Sequence, residues 1–145
     1  MTLESNKALY RRWFEEVVTG GKLELADELL APDYVLHFPT MPEPLDAAGH
    51  KQLVTMFRSA FPDWSEAVED VVAEGDKVVV RVTGSGTHEG DFQGVPPAGK
   101  RVRAEGVGIA RIQNGRIVEA WAAYDALGLM QQIGALPSPG AEVPG

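Results

Sequence analysis

Apolar positions recur at helical spacing through the first part of the chain and at strand spacing afterwards. Leu3, Tyr10, Trp13, Phe14, Val17 and Val18 fall on one stripe of a helix that Gly20-Gly21 would end. Leu23, Ala26, Leu29 and Leu30 mark a second, shorter helix stopped by Ala31-Pro32. Tyr34 to Phe38 (YVLHF) reads as a short strand, followed by the proline-punctuated loop TMPEP. Asp46 to Phe61 predicts a third helix with Leu53, Met56, Phe57 and Ala60 on its buried side, broken by Pro62-Asp63. Ser65–Ala73 and Lys77–Thr87 read as strands joined by a two-residue turn at Gly75-Asp76, a register that pairs Asp70 with Arg81 and Val72 with Val79.

The last third carries the sharpest local signal. Asn114-Gly115 sits between two apolar-rich runs, Arg103–Gln113 and Arg116–Tyr124. A type I′ turn needs φ > 0 at both central residues, and Asn-Gly supplies it. With those two residues as the loop, uninterrupted pairing sets Gly108 against Trp121, Gly106 against Ala123 and Ala104 against Asp125. One sheet face then carries small residues around one indole and one carboxylate. Glycine inside a strand often marks a place where something approaches the backbone. Two readings of Asp125 follow: an acid on a cavity floor with Trp121 as a wall, or the N-cap of the helix Ala126–Ile133.

A chain of 145 residues fits one domain, read as residues 1–135, with the Pro/Gly-rich 136–145 as a disordered tail. Helices followed by a run of antiparallel strands give an α+β class. The expected shape is a cone: a curved antiparallel sheet wrapped around N-terminal helices, with a short C-terminal helix. The absence of cysteine excludes disulfides, a thiol nucleophile and thiolate-bound metal. A formal net charge of −8 argues against nucleic acid or an anionic membrane as partner. No apolar run reaches the length of a membrane span, and the N-terminus lacks signal-peptide character, so a cytoplasmic location is expected.

Four stretches point to a family. They are APDYVLHFP (31–39), FPDW (61–64), GTHEGDFQGVPPAGKRV (86–102) and RIQNGRIVEAWAAYDALGLMQQIG (111–134). Over roughly residues 7–134 the chain resembles the SnoaL-like polyketide cyclases, or ester cyclases, of the nuclear transport factor 2-like cone fold. The resemblance implies a cofactor-independent enzyme that closes a ring by intramolecular aldol condensation on a bulky hydrophobic carbonyl compound. It assigns the acid/base role to Asp125, at the end of the last long strand, in an enclosed pocket. A non-catalytic domain binding a small hydrophobic ligand is the alternative, as is another acid/base reaction of the fold, such as an isomerase, dehydratase or epoxide hydrolase.

His88 matches the histidine that opens the family's H-x-G-x-F-x-G block. It either helps Asp125 and the substrate or pins the loop after it. His37 lines the cavity mouth or packs under the proline loop, while His50 is expected in solvent. The remaining substrate-contact candidates are Trp121, Phe92 (a lid on the glycine-bracketed loop), Gly108, Phe14, Phe57 and Trp64. Gly108 and Ala110 replace the acidic and bulky residues common in the resembling strand and would widen the cavity. The histidine spacing matches no metal motif, so no metal and no cofactor are expected. The face carrying Val107, Ile109, Val118 and Ala122 is apolar enough for a homodimer interface.

Overall fold

The structure, a computed structural model, describes residues 2–137. Of the tail expected at 136–145, residues 138–145 lie outside the described residues. The chain begins with α1 (Leu3–Arg12), capped where the Thr2 hydroxyl accepts from the Ser5 N–H at 3.0 Å. The helix continues as a wider π-helical segment, Trp13–Thr19, which turns Trp13, Phe14, Val17 and Val18 all inward. Arg58 closes its end by donating to the Val18 and Thr19 carbonyls at 3.0 and 2.9 Å. Those are the carbonyls a helix terminus leaves without partners.

After a 3₁₀ turn (Leu23–Leu25) and the one-turn α2 (Ala26–Leu29) comes β1 (Leu30–His37). The long α3 (Ala47–Ala60) starts at an Asp46 N-cap, whose carboxylate accepts from the Gly49 N–H at 2.8 Å. Strands β2 (Ser65–Glu74), β3 (Lys77–Thr87), β4 (Arg101–Gln113) and β5 (Arg116–Tyr124) follow, then α4 (Ala126–Gln132).

All five strands form one sheet in the order β1-β5-β4-β3-β2. It is α+β and curls around the helices as expected, but it is mixed rather than wholly antiparallel. The strand read as an isolated YVLHF is eight residues long and pairs parallel with β5. Pro32, read as ending the second helix, falls inside β1, which tolerates it as an edge strand where proline removes no needed hydrogen bond. Among the described residues no helix is long and apolar enough to cross a membrane.

Both hairpins turn where the sequence places them. Gly75, Asn114 and Gly115 have φ of 60°, 52° and 74°. Asp70 pairs with Arg81 and Val72 with Val79, and the Arg81 guanidinium meets the Asp70 carboxylate at 2.7 Å. Being exposed, that pair contributes under about 1 kcal/mol.

Each hairpin then shifts its register by one residue. In β4–β5 the pairing passes from Ile112–Ile117 to Arg111–Glu119, leaving Val118 unpaired. In β2–β3 it passes from Val68–Val82 to Asp70–Arg81, leaving Glu69 unpaired. A single extra residue moves every side chain beyond it to the opposite face. The uninterrupted register read from the Asn-Gly turn therefore fails past Val118.

Candidate active site

The inner face of the sheet, α1 with its π-helical extension, and α3 enclose a cavity of about 100 Å³. Its walls are aromatic: Trp13 and Phe14 from the first helix, Phe57 from α3, Trp64 before β2, and Tyr124 at the end of β5. Its floor is made of small residues, Ala104, Gly106 and Gly108 on β4 with Ala120 and Ala122 on β5. Phe14, Phe57, Trp64 and Gly108, substrate-contact candidates in the sequence, all line this cavity.

Gly108 is glycine for a steric reason. A Cβ there would stand 2.3 Å from the Tyr10 hydroxyl and 3.3 Å from the Phe14 ring. The phenol rests directly on the strand. We expect Gly108→Ala to push the Tyr10 ring into the cavity and to cost about 1–3 kcal/mol of stability. Urea unfolding would check the cost, and an unchanged midpoint would show that the ring has room to move aside.

Glu66 is the only acidic or cationic group on the lining apart from a histidine, among the described residues. It reaches the cavity from the start of β2, opposite Gly84. Its backbone N–H is satisfied by the Thr19 hydroxyl at 2.9 Å. Its carboxylate has no hydrogen-bond partner among the described residues, and no cation is paired with it. Burial among apolar walls pushes its pKa up to about 7. Such a group is poised to take and return a proton near neutral pH.

Four further titratable side chains share the lining: Tyr124, whose phenol is raised by burial, and Tyr10, Tyr34 and His50. Tyr10 is 3% exposed; burial, and then the nearby Glu66 charge, raise its phenol well above the ordinary range. Tyr34, on β1, is raised by burial and by Tyr10. The Tyr34 hydroxyl and His50 Nδ1 are 2.9 Å apart. The His50 ring lies 4.5 Å from Trp13 and 5.8 Å from Tyr34, centroid to centroid. Burial depresses its pKa to about 3, so it is neutral at physiological pH. The expectation of a solvent-exposed His50 is corrected: the first turn of α3 faces inward at this position.

The other sequence-predicted residues do not converge here. Asp125 is exposed and caps α4, its carboxylate accepting from the Gly128 N–H at 2.9 Å. The Val118 bulge puts it on the opposite face from the small-residue floor, with its N–H on the Glu105 carbonyl. The same shift pairs Trp121 with Ile109 and turns it to the outer face, while Tyr124 takes the inner position. There Trp121 stacks on His37 at 5.4 Å, and His37 Nε2 meets a Glu119 carboxylate oxygen at 2.7 Å. His37 and Trp121 line an open outer groove of about 440 Å³ under the proline loop, so neither borders the inner cavity.

His88 is completely buried away from the cavity. Its Nδ1 accepts from the Ala98 N–H at 3.1 Å, and its backbone bonds to Lys100 and Gly99. These contacts tie it to the end of the loop at 89–100. Phe92 is fully buried, 5.4 Å from Phe57 and 5.3 Å from Phe61. It anchors that loop behind the cavity wall rather than covering a mouth. Among the described residues no three His, Asp or Glu side chains converge as a metal site would require.

Comparison with known proteins agrees with this architecture. No curated protein matches the chain. Of the similar solved structures, IdmH, a proposed polyketide cyclase from Streptomyces antibioticus, is 31% identical. Its match covers 89% of this chain and 98% of its own, with a TM-score of 0.80. AclR, a proposed hydroxylase from Streptomyces galilaeus, is 29% identical over 94% and 89% of the two chains, with a TM-score of 0.85. TsrD from Streptomyces laurentii is 29% identical over 94% and 99%, with a TM-score of 0.82. The family described as SnoaL-like polyketide cyclase matches residues 8–133, and the chain belongs to that family.

Proposed function

We propose that this protein carries out cofactor-independent acid/base chemistry on a hydrophobic carbonyl compound, with Glu66 in place of Asp125 as the proton-transfer group. The observation that carries the proposal is an unpaired carboxyl group on the wall of an aromatic cavity, where burial pushes its pKa up to about 7. Asp125 is solvated and its carboxylate is engaged in a helix cap. The reaction favoured is the aldol-type ring closure of the family. Glu66 removes a proton beside a carbonyl, the carbanion attacks a second carbonyl, and the proton returns to the new oxygen.

The cavity is smaller than the roughly 150 Å³ that holds benzene in an engineered core. It admits the reacting end of a substrate, with the remainder at the opening. Aromatic walls suit a flat, conjugated compound and exclude the water that would quench a carbanion.

The test needs no knowledge of the natural substrate. 2-Tetralone is a bicyclic aromatic ketone with an acidic C–H beside its carbonyl. The protein should accelerate exchange of that hydrogen in D₂O, followed by proton NMR. The rate should rise with pH through about 7 and level off above, because the base must be ionised. No acceleration, or a rate that ignores pH in that range, would overturn the assignment.

The outer sheet face supports association with a second copy. Val72, Val79 and Val107 are exposed on it beside Ile109 and Trp121. Val118 and Ala122, expected there, are instead bulged and turned to the cavity side, respectively. We expect a homodimer by light scattering at micromolar concentration; a monomer would count against this use of the face.

A further inference from the structure

The cavity has two polar ends, supplied by opposite edges of the sheet. Glu66 stands on β2 and Tyr34 on β1, the two outermost strands of the order β1-β5-β4-β3-β2. Tyr10 lies between them, its hydroxyl resting against Gly108 on β4, the middle strand of the sheet. His50 extends the line from α3 through its 2.9 Å contact with Tyr34.

The direction of that hydrogen bond fixes the histidine tautomer. If Nδ1–H donated to Tyr34, the phenol hydrogen of a residue only 2% exposed would have no acceptor among the described residues. If Tyr34 donates to Nδ1, both groups are satisfied. The proton of the neutral imidazole then sits on Nε2. That nitrogen has no protein partner among the described residues, yet it is not sealed from solvent. Trp13 and Tyr34 both pack against the ring, which holds its orientation before any substrate arrives.

We propose that His50, held in its Nε2–H form by Tyr34, is a catalytic hydrogen-bond donor to the substrate's carbonyl oxygen. This rests on the Glu66 reading. Together the two ends define the substrate class as an enolisable ketone, oxygen toward His50 and acidic C–H toward Glu66. In the first step the C–H bond breaks and its proton passes to the Glu66 carboxylate. The electron pair enters a C=C bond, and the carbonyl oxygen becomes an enolate oxygen that accepts from Nε2–H. His50 keeps its proton. In ring closure the enolate carbon attacks the second carbonyl carbon, and the resulting alkoxide takes the proton back from Glu66.

Burial keeps the imidazole neutral through the working range. A neutral donor stabilises an enolate without protonating it. His50 therefore affects how fast Glu66 works but leaves untouched the pH at which it works.

The same 2-tetralone exchange tests this. His50→Leu should slow exchange by about 10²-fold, the usual effect of removing one such donor, with the pH midpoint unmoved. His50→Gln, which restores an N–H near the Nε2 position, should recover part of the rate. Tyr34→Phe should lower the rate less than His50→Leu. Nitrogen-15 NMR of the wild-type protein should show a protonated Nε2 and a bare Nδ1 from pH 5 to 8, independent of any substrate.

Full activity in His50→Leu alongside an inactive Glu66→Gln would overturn the role of His50 and leave Glu66 as the base. The opposite tautomer in the NMR spectrum would overturn it as well. Full activity in Glu66→Gln would overturn the underlying assignment instead. If His50→Leu unfolds, the tautomer and the Gln and Phe variants still decide the matter.

Discussion

Glu66→Gln is expected to reduce proton abstraction by about 10² to 10⁴-fold while leaving the fold intact. Glutamine has nearly the same shape and cannot accept the proton. The same substitution has a stability signature of opposite sign to its effect on activity. In the unfolded chain this carboxyl ionises near its ordinary 4.5; in the folded protein it does so near 7. The folded state holds the proton more tightly, so the associated stability is complete below about pH 4.5 and declines as pH rises toward 7. The decline amounts to roughly 3 kcal/mol at most, at about 1.4 kcal/mol per pKa unit. Glutamine does not ionise and does not decline. Urea unfolding at pH 5 and pH 8 should therefore show the variant gaining on the wild type as pH rises. Equal pH slopes would mean that Glu66 is solvated after all, and the raised pKa would go with it.

The two acidic groups that matter exchange faces because of two extra residues. Counted from the Gly75-Asp76 turn without interruption, Glu66 falls on the outer face, in phase with Asp70 and Val72. Counted from Asn114-Gly115, Asp125 falls on the inner face, in phase with Gly108. The bulge at Glu69 turns Glu66 inward, opposite Gly84, and the bulge at Val118 turns Asp125 outward, opposite Glu105. Turn chemistry is written in two residues and can be read locally. A bulge depends on how the whole sheet must twist to close around the helices, so nothing at Glu69 or Val118 announces it.

What was legible follows the same division. Of the helical stripe, Tyr10, Trp13, Phe14, Val17 and Val18 form one buried face in the core, while Leu3 at its start is exposed. The small-residue run Ala104, Gly106, Gly108 does form a cavity floor. The polar group around Glu66 was not legible, because Tyr10, Tyr34 and His50 come from α1, β1 and α3 and meet only in three dimensions. Tyr34 sits in a strand motif and His50 one turn into a helix, and neither position alone distinguishes a cavity wall from packing. The loop residues His88 and Phe92 belong to the block 86–102. Their burial shows what that block does structurally here: it plugs the end of α3, with the Glu89 and Gly90 N–H groups on the Ala60 carbonyl.

Phe57→Ala should be among the most destabilising single changes in the protein, at about 3–5 kcal/mol. Its ring is the hub of the aromatic cluster, lying 5.3 Å from Trp64, 5.4 Å from Phe92, 5.5 Å from Tyr124 and 6.3 Å from Phe61. Trp64 and Phe92 are themselves buried, and Trp64 already packs so closely on β3 that a Cβ at Gly84 would stand 2.4 Å from its ring. Neither can move far enough to fill the space. The loss is set against a total stability of about 5–15 kcal/mol for a domain of ordinary stability, so much of the folded population is at risk. The substitution also removes the ring that stands between the aromatic cavity and Phe92. Urea unfolding gives the stability and 2-tetralone exchange the activity. Phe57→Leu separates the two effects, since it keeps an apolar wall and should unfold later than the alanine variant. A loss below about 1 kcal/mol for Phe57→Ala would show that the cluster collapses freely. The rigid wall that keeps water from Glu66, and with it the cause of its raised pKa, would then have to be sought elsewhere.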